Sequence, residues 1–106
     1  MVMRRGEVWW ARLDAPAGRR PVVLLSRDEA YERRELVTVA PVTTQIRHIP
    51  TEVPLGPADG MPKLCAANLE TIQTIQKNRL VQLLTTLSPE KLAAVERAVK
   101  FALGLT

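Results

Sequence analysis

Pro21-Val22-Val23-Leu24-Leu25 is a short, unbroken apolar run led by proline. Proline has no N–H to give to a ladder and suits the first residue of a strand, while a run without polar alternation has no face to offer solvent. A central strand buried on both sides is expected here. Ahead of it, Glu7-Val8-Trp9-Trp10-Ala11-Arg12-Leu13 is β-prone and bounded by Gly6 and the turn Asp14-Ala15-Pro16-Ala17-Gly18, which reads as a first strand and loop. Its two tryptophans must face opposite sides. Trp10, in phase with Val8, is expected in the core, and Trp9 is the one expected to be partly exposed, if either is.

Ser26 lies three residues before Glu29, the capping-box spacing, so a short helix is expected after the second strand. Leu36 to Val42 returns as strand. Thr51 to Leu55 alternates but contains Pro54, which confines it to an edge or bulge. Leu64 to Leu69 is another apolar strand, and Val81 to Leu84 resumes the sheet after a polar interval. The last element is the clearest: Ser88 caps, Pro89 takes the first helical position, Leu87 staples to Leu92 and Gly104 stops the helix. Leu92, Val95, Val99 and Ala102 line one side of it, opposite Lys91, Glu96, Arg97 and Lys100. Strands followed by a terminal helix predict a mainly β (α+β) fold, a compact, strongly bent SH3-like barrel with an amphipathic C-terminal helix.

At 106 residues the chain is read as a single domain, 1–106, with one core and one site. No stretch approaches the ~18 apolar residues of a membrane span, and charges near the N-terminus have no apolar segment behind them, so the cytoplasm is the expected compartment. Cys65 is alone within Leu64-Cys65-Ala66-Ala67 and reads as a small buried hydrophobe rather than a nucleophile. Net charge is +4, and eleven of the fifteen cations are arginine, whose planar fork suits phosphate and base edges. This favours a polyanionic partner.

One histidine, one cysteine and no clustered carboxylates leave too few ligands for zinc, and neither a Gly-rich phosphate loop nor a Ser-His-Asp set can be assembled. Neither a metal nor a cofactor is expected. What remains is Arg20 at the mouth of the buried strand and Thr43-Thr44-Gln45 just past the end of its neighbour. Antiparallel pairing would bring cation and hydroxyl to one edge of the sheet. These residues carry a resemblance. Arg4-Arg5-Gly6-Glu7-Val8-Trp9-Trp10, Arg19-Arg20-Pro21-Val22-Val23-Leu24-Leu25, Pro41-Val42-Thr43-Thr44-Gln45, Thr51-Glu52-Val53, Leu87-Ser88-Pro89-Glu90 and Leu103-Gly104-Leu105 resemble the MazF/PemK-like toxins nearly end to end.

The resemblance implies a homodimer of CcdB-like fold that cleaves single-stranded RNA at a short sequence, without metal, and is held inactive by an antitoxin. It places the catalytic arginine on Arg20 and the catalytic threonine on Thr43. Arg19, Thr44, Gln45 and Arg47 are expected to bind substrate, and Glu70 and Thr71 to face the RNA bases. The Gly-Ser-Glu-Gln segment that many members carry in the first loop is missing, so a general base is unassigned. His48 is expected to be solvated. Plainer roles exist for both catalytic candidates: Arg20 as the ion-pair partner of Asp14, Thr43 as a turn hydroxyl closing its own backbone. Two other functions compete on the same fold, a non-enzymatic DNA gyrase inhibitor and a weakly active RNA-binding module.

Overall fold

The apolar run is the body of β2 (Arg19–Leu24), and it lies between β1 (Glu7–Arg12) and β3 (Leu36–Thr43), antiparallel to both. The computed structural model describes residues 2–105, so Met1 and Thr106 of the expected 1–106 domain lie outside the described residues. Strand alternation sends Val8, Val23 and Ala40 into one core with Leu69 and Val95. Trp9, Val22, Leu24 and Val39 enter a second core on the opposite face, with Tyr31 and Val37. That two-sided burial is why β2 shows no polar alternation, and each fully buried Val or Leu contributes roughly 1.5–3 kcal/mol. Pro21 is the third residue of the strand rather than the first. The β2–β3 ladder begins only at Val22↔Pro41, so on that side there is no ladder for Pro21 to interrupt.

β3 is the strand around which the sheet divides. One edge pairs with β2; the other takes β6 (Gln73–Gln76) along Leu36–Val39 and β5 (Cys65–Asn68) at Val42 and Thr43. β4 (Glu52–Leu55) adds to β5 as an edge strand, where Pro54 requires it to be, and β7 (Leu80–Thr86) adds to β1. The path β4-β5-β3-β2-β1-β7 leaves β4 and β7 at its two ends, so the sheet does not close into a full barrel. β6 is absent from the sequence expectation. Its Gln-Thr-Ile-Gln is exposed or half-buried, and what makes it a strand is its ladder to β3 rather than an apolar pattern.

The short helix α1 (Ala30–Arg33) follows β2 as expected, but not through the Ser26 capping box. Glu29 stands at its N-cap without a side-chain bond, and Ser26 Oγ instead accepts from Thr38 N at 2.8 Å, taking up a strand donor where β2 has ended. The long helix α2 (Pro89–Leu103) forms as read: Ser88 Oγ accepts from Lys91 N, and Gly104 closes the helix at φ 68°. Val95 and Ala98 are its most deeply buried side chains, on the first core, and Arg5 joins Glu96 at 2.6 Å.

Candidate functional site

Extending the β2–β3 register by two residues beyond Val22↔Pro41 sets Arg20 opposite Thr43. There the first core opens into a groove of ≈ 560 Å³. Its floor continues the core, through Val42, Met61 and Cys65; its polar side is Arg19, Arg20, Thr43, Thr44, Gln45 and Lys63. Among the described residues three cations line it, and no Asp, Glu or His does. Arg20 Nη1 reaches Val42 O at 3.5 Å, and its remaining donors have no partner among the described residues. Asp14, the carboxylate that would have neutralised it, lies 3.2 Å from Arg79 instead. Thr43 Oγ1 accepts from Gln45 N at 3.1 Å, so its oxygen is oriented by the turn while its hydrogen stays free to donate. The turn bond and a role toward substrate are therefore compatible.

The far wall of the groove, Met61-Pro62-Lys63, is carried by a loop built on the 3₁₀ turn Pro57–Asp59. Asp59 Oδ2 accepts from Gly56 N at 2.9 Å, Thr85 Oγ1 donates to Asp59 O at 3.0 Å, and Lys91 Nζ lies 3.8 Å from Asp59 Oδ2. Gly60 sits at φ 88°, which favours glycine, and a Cβ there would collide with the Thr85 hydroxyl. Cys65 lines the groove yet is 3% exposed. Burial pushes its thiol pKa up, and so does the Asp59 charge, against a smaller opposing effect of Lys63. A thiol held protonated is a poor nucleophile, in keeping with its reading as a small hydrophobe.

Five of the eight expected site residues meet in this groove: Arg19, Arg20, Thr43, Thr44 and Gln45. Arg47, Glu70 and Thr71 do not. β5 starts at the groove with Cys65 and runs away from it, roughly 13 Å by Leu69 at the usual rise per residue. Glu70 and Thr71 close the 3₁₀ turn beyond that end, where Glu70 Oε2 accepts from Thr51 Oγ1 at 2.9 Å. Arg47 gives both its backbone N–H and its Nε to the Glu52 carboxylate, each at 2.8 Å. The Glu52 side chain is 1% exposed. Burial raises its pKa, but the Arg47 hydrogen bonds, the Arg47 charge and the His48 backbone N–H outweigh it and hold it below its ordinary 4.5. His48 itself is exposed, at φ 56°.

The tryptophans exchange the environments expected of them. Trp9 is 1% exposed, with its indole N–H donated to Glu7 Oε1 at 2.9 Å. Trp10 is half-buried and lines the groove, with the Arg19 guanidinium carbon 5.0 Å from its ring centroid. Phase with Val8 did place it on the first core's side of β1. That core gives way to the groove at this end of the strand. Its nearness to the Asp14 turn is the sequence signal that could have said so. Lys63, also missed, reaches the site from a loop whose return to β3 no local pattern announces.

Comparison with known proteins bears on the family and the fold. Residues 4–103 match the model of the PemK-like, MazF-like toxin of type II toxin–antitoxin systems. A probable endoribonuclease MazF5 of Mycobacterium tuberculosis is 42% identical over 99 residues, 92% of this chain and 90% of the relative. Among solved structures, the Mycobacterium tuberculosis toxin MazF-mt6 superposes with a TM-score of 0.86 at 29% identity, covering 94% of this chain and 98% of that one. A mycobacterial endoribonuclease in complex with its cognate antitoxin gives a TM-score of 0.86 at 29% identity, covering 98% and 97%. A model match spanning nearly the whole chain, with a relative this similar over nine-tenths of both sequences, identifies the chain as a member of the PemK-like, MazF-like toxins of type II toxin–antitoxin systems.

Proposed function

We propose that the groove is the active site of an endoribonuclease toxin, acting on single-stranded RNA in the cytoplasm without a metal ion. One observation carries this reading: Arg20 and the donor hydroxyl of Thr43 face one groove that holds three cations and no carboxylate. RNA brings its own nucleophile. The 2′-hydroxyl gives up its proton as its oxygen bonds to the adjacent phosphorus, the bond from phosphorus to the 5′-oxygen breaks as that oxygen takes a proton from water, and the products are a 2′,3′-cyclic phosphate and a 5′-hydroxyl. The protein's share is alignment and charge stabilisation. Arg20 holds the non-bridging oxygens as charge builds on the phosphorane, and Thr43 donates a hydrogen bond beside it. Arg19, Thr44, Gln45 and Lys63 hold the flanking chain. No lining side chain is a carboxylate or imidazole, so the acceptor of the 2′-hydroxyl proton lies outside this set.

The chain acts as a homodimer and is silenced by an antitoxin whose acidic segment lies over the same cations. No observation favours the gyrase-inhibitor alternative, and the family match runs against it. The test is cleavage of RNA by the purified chain in EDTA, with the ends identified: 5′-hydroxyl and cyclic phosphate are expected. Cleavage that appears only when magnesium is restored sinks the metal-free mechanism. Substitution of Thr43 by Val, which keeps the shape and removes the donor, is expected to lower the rate roughly 10²-fold.

A further inference from the structure

Trp9 and Trp10 are neighbours in sequence and opposites in surroundings. Trp9 is sealed in the second core. Trp10 lines the groove, and the Arg19 guanidinium, which lines it too, lies over the Trp10 ring. Arg19 is exposed, and a single 3.4 Å contact with Gln82 Oε1 is its hydrogen-bonding hold. In the β1–β2 ladder Arg19 stands directly opposite Arg12, and neither has an ion pair among the described residues. Like charges at opposed positions repel. Trp10 and Arg12 are two apart on β1 and so share a face; Arg12 lines a separate depression with Asp14 and Arg79 rather than the groove itself. Trp10 is itself opposite Pro21, the residue next to Arg20.

Resting on the reading of the groove as an RNA site, we propose that Trp10, Arg19 and Arg12 form a nucleotide subsite beside the reactive phosphate. An unpaired base stacks on the face of Trp10 that Arg19 covers, and the displaced guanidinium moves to that nucleotide's phosphate, shared with Arg12. Aromatic rings and guanidinium planes are the surfaces on which single-stranded bases stack. The anion relieves the Arg12–Arg19 repulsion that the empty ladder carries. Because every base has a π face, the subsite favours unpaired over paired nucleic acid and discriminates weakly between bases.

Two uncleavable oligomers of equal length test this on the full chain: oligodeoxythymidylate, and an abasic deoxyribose phosphate with the same backbone charge. Indole emission is the readout, with buried Trp9 as internal control. Oligodeoxythymidylate is expected to quench emission and bind more tightly, while the abasic oligomer binds through charge without quenching. Trp10→Phe removes the quench and keeps affinity within about threefold, since a ring remains to stack on. Trp10→Ala weakens oligodeoxythymidylate binding roughly 5–150-fold and leaves abasic binding unchanged. Equal quenching by both oligomers, or unaltered affinity in Trp10→Ala, overturns the subsite. RNA cleavage scored alongside separates the two claims. Arg20-dependent cleavage without a base-dependent quench removes the subsite alone, whereas a base-dependent quench without cleavage removes the nuclease and leaves a binding face.

Discussion

The groove and the Glu52 cluster draw on the same ten residues of chain, 43–52, and treat charge in opposite ways. In the groove, Arg20 keeps donors that no group among the described residues accepts, and no acid among them lines the site. In the cluster, a carboxylate 1% exposed takes two bonds from Arg47, and Thr51 reaches Glu70. The same residue type, arginine, is a structural tie in one place and an open anion site in the other. What separates them is whether a carboxylate is in reach. An arginine matched by the protein holds the loop in shape, and an arginine left unmatched has its partner in the substrate.

The largest test of that distinction is Arg20→Ala. Losing the charge-stabilising group is expected to lower cleavage roughly 10²–10⁴-fold. Folding stability should move by no more than about 0.5 kcal/mol, because the guanidinium makes a single long bond to the fold. Initial rates and thermal melts on the same sample check both halves. Near-normal cleavage would mean that the unmatched cation is idle and the contrast empty.

Gly60→Ala asks how the open side is kept open. The groove's far wall is braced from behind, by Thr85 and Lys91 on Asp59, rather than by groups within the groove. A side chain at φ 88° costs about 1–3 kcal/mol by itself, and the collision with Thr85 loosens its bond to Asp59. The melting temperature is expected to drop, and the folded fraction to cleave more slowly because Lys63 is displaced. A folded variant with full activity would show that the brace is unnecessary.

Arg47→Ala tests the matched side. It removes a bond to a buried carboxylate, worth about 1–3 kcal/mol, with the low end expected because the Arg47 side chain is 56% exposed and water screens the pair. Cleavage by the folded protein should stay within a few-fold, and the salt dependence of RNA binding should not change. A fall in the log–log salt slope of about 0.7, the amount for one phosphate contact on a single strand, would put Arg47 on RNA and erase the contrast.

The sequence made one side of this comparison more legible than the other. Arg20 and Thr43 were placed together by strand logic: a buried run led by proline, a second strand ending in hydroxyls, and antiparallel register between them. The Ser88-Pro89 start and Gly104 stop of α2 were equally readable, because capping is chemistry between residues close in sequence. Arg47 was read toward substrate and its tie to Glu52 went unseen, because that partner is invisible to any local pattern. Glu52 sits five residues on and looks like an ordinary strand-edge acid until β5 and the 3₁₀ turn bury it. β6 escaped for the same reason, since Gln-Thr-Ile-Gln is a strand only because β3 has an edge to fill. Trp10 was read for the right side of the strand and the wrong depth. Depth depends on where the first core ends, which is a tertiary fact.

The smallest expected effect is a pH dependence that belongs to the cluster and not to the groove. Glu52 is held below its ordinary 4.5 in the folded chain, so through the acid range the unfolded chain binds more protons than the folded one. Stability therefore rises with pH there. The contribution is fully present above pH 4.5 and is lost as pH falls through the lower, folded-state pKa. Glu52→Gln keeps the shape and removes the titration. Denaturant melts of the two proteins at pH 7 and at successively lower pH should show the wild-type advantage narrowing once pH drops below 4.5. The groove is lined by no carboxylate or imidazole, so the stability difference between wild type and Arg20→Ala should stay flat over the same range. If both gaps close together, the acid loss is a general unfolding of the chain, and the Glu52 carboxylate is not the matched charge that holds residues 44–51 in place.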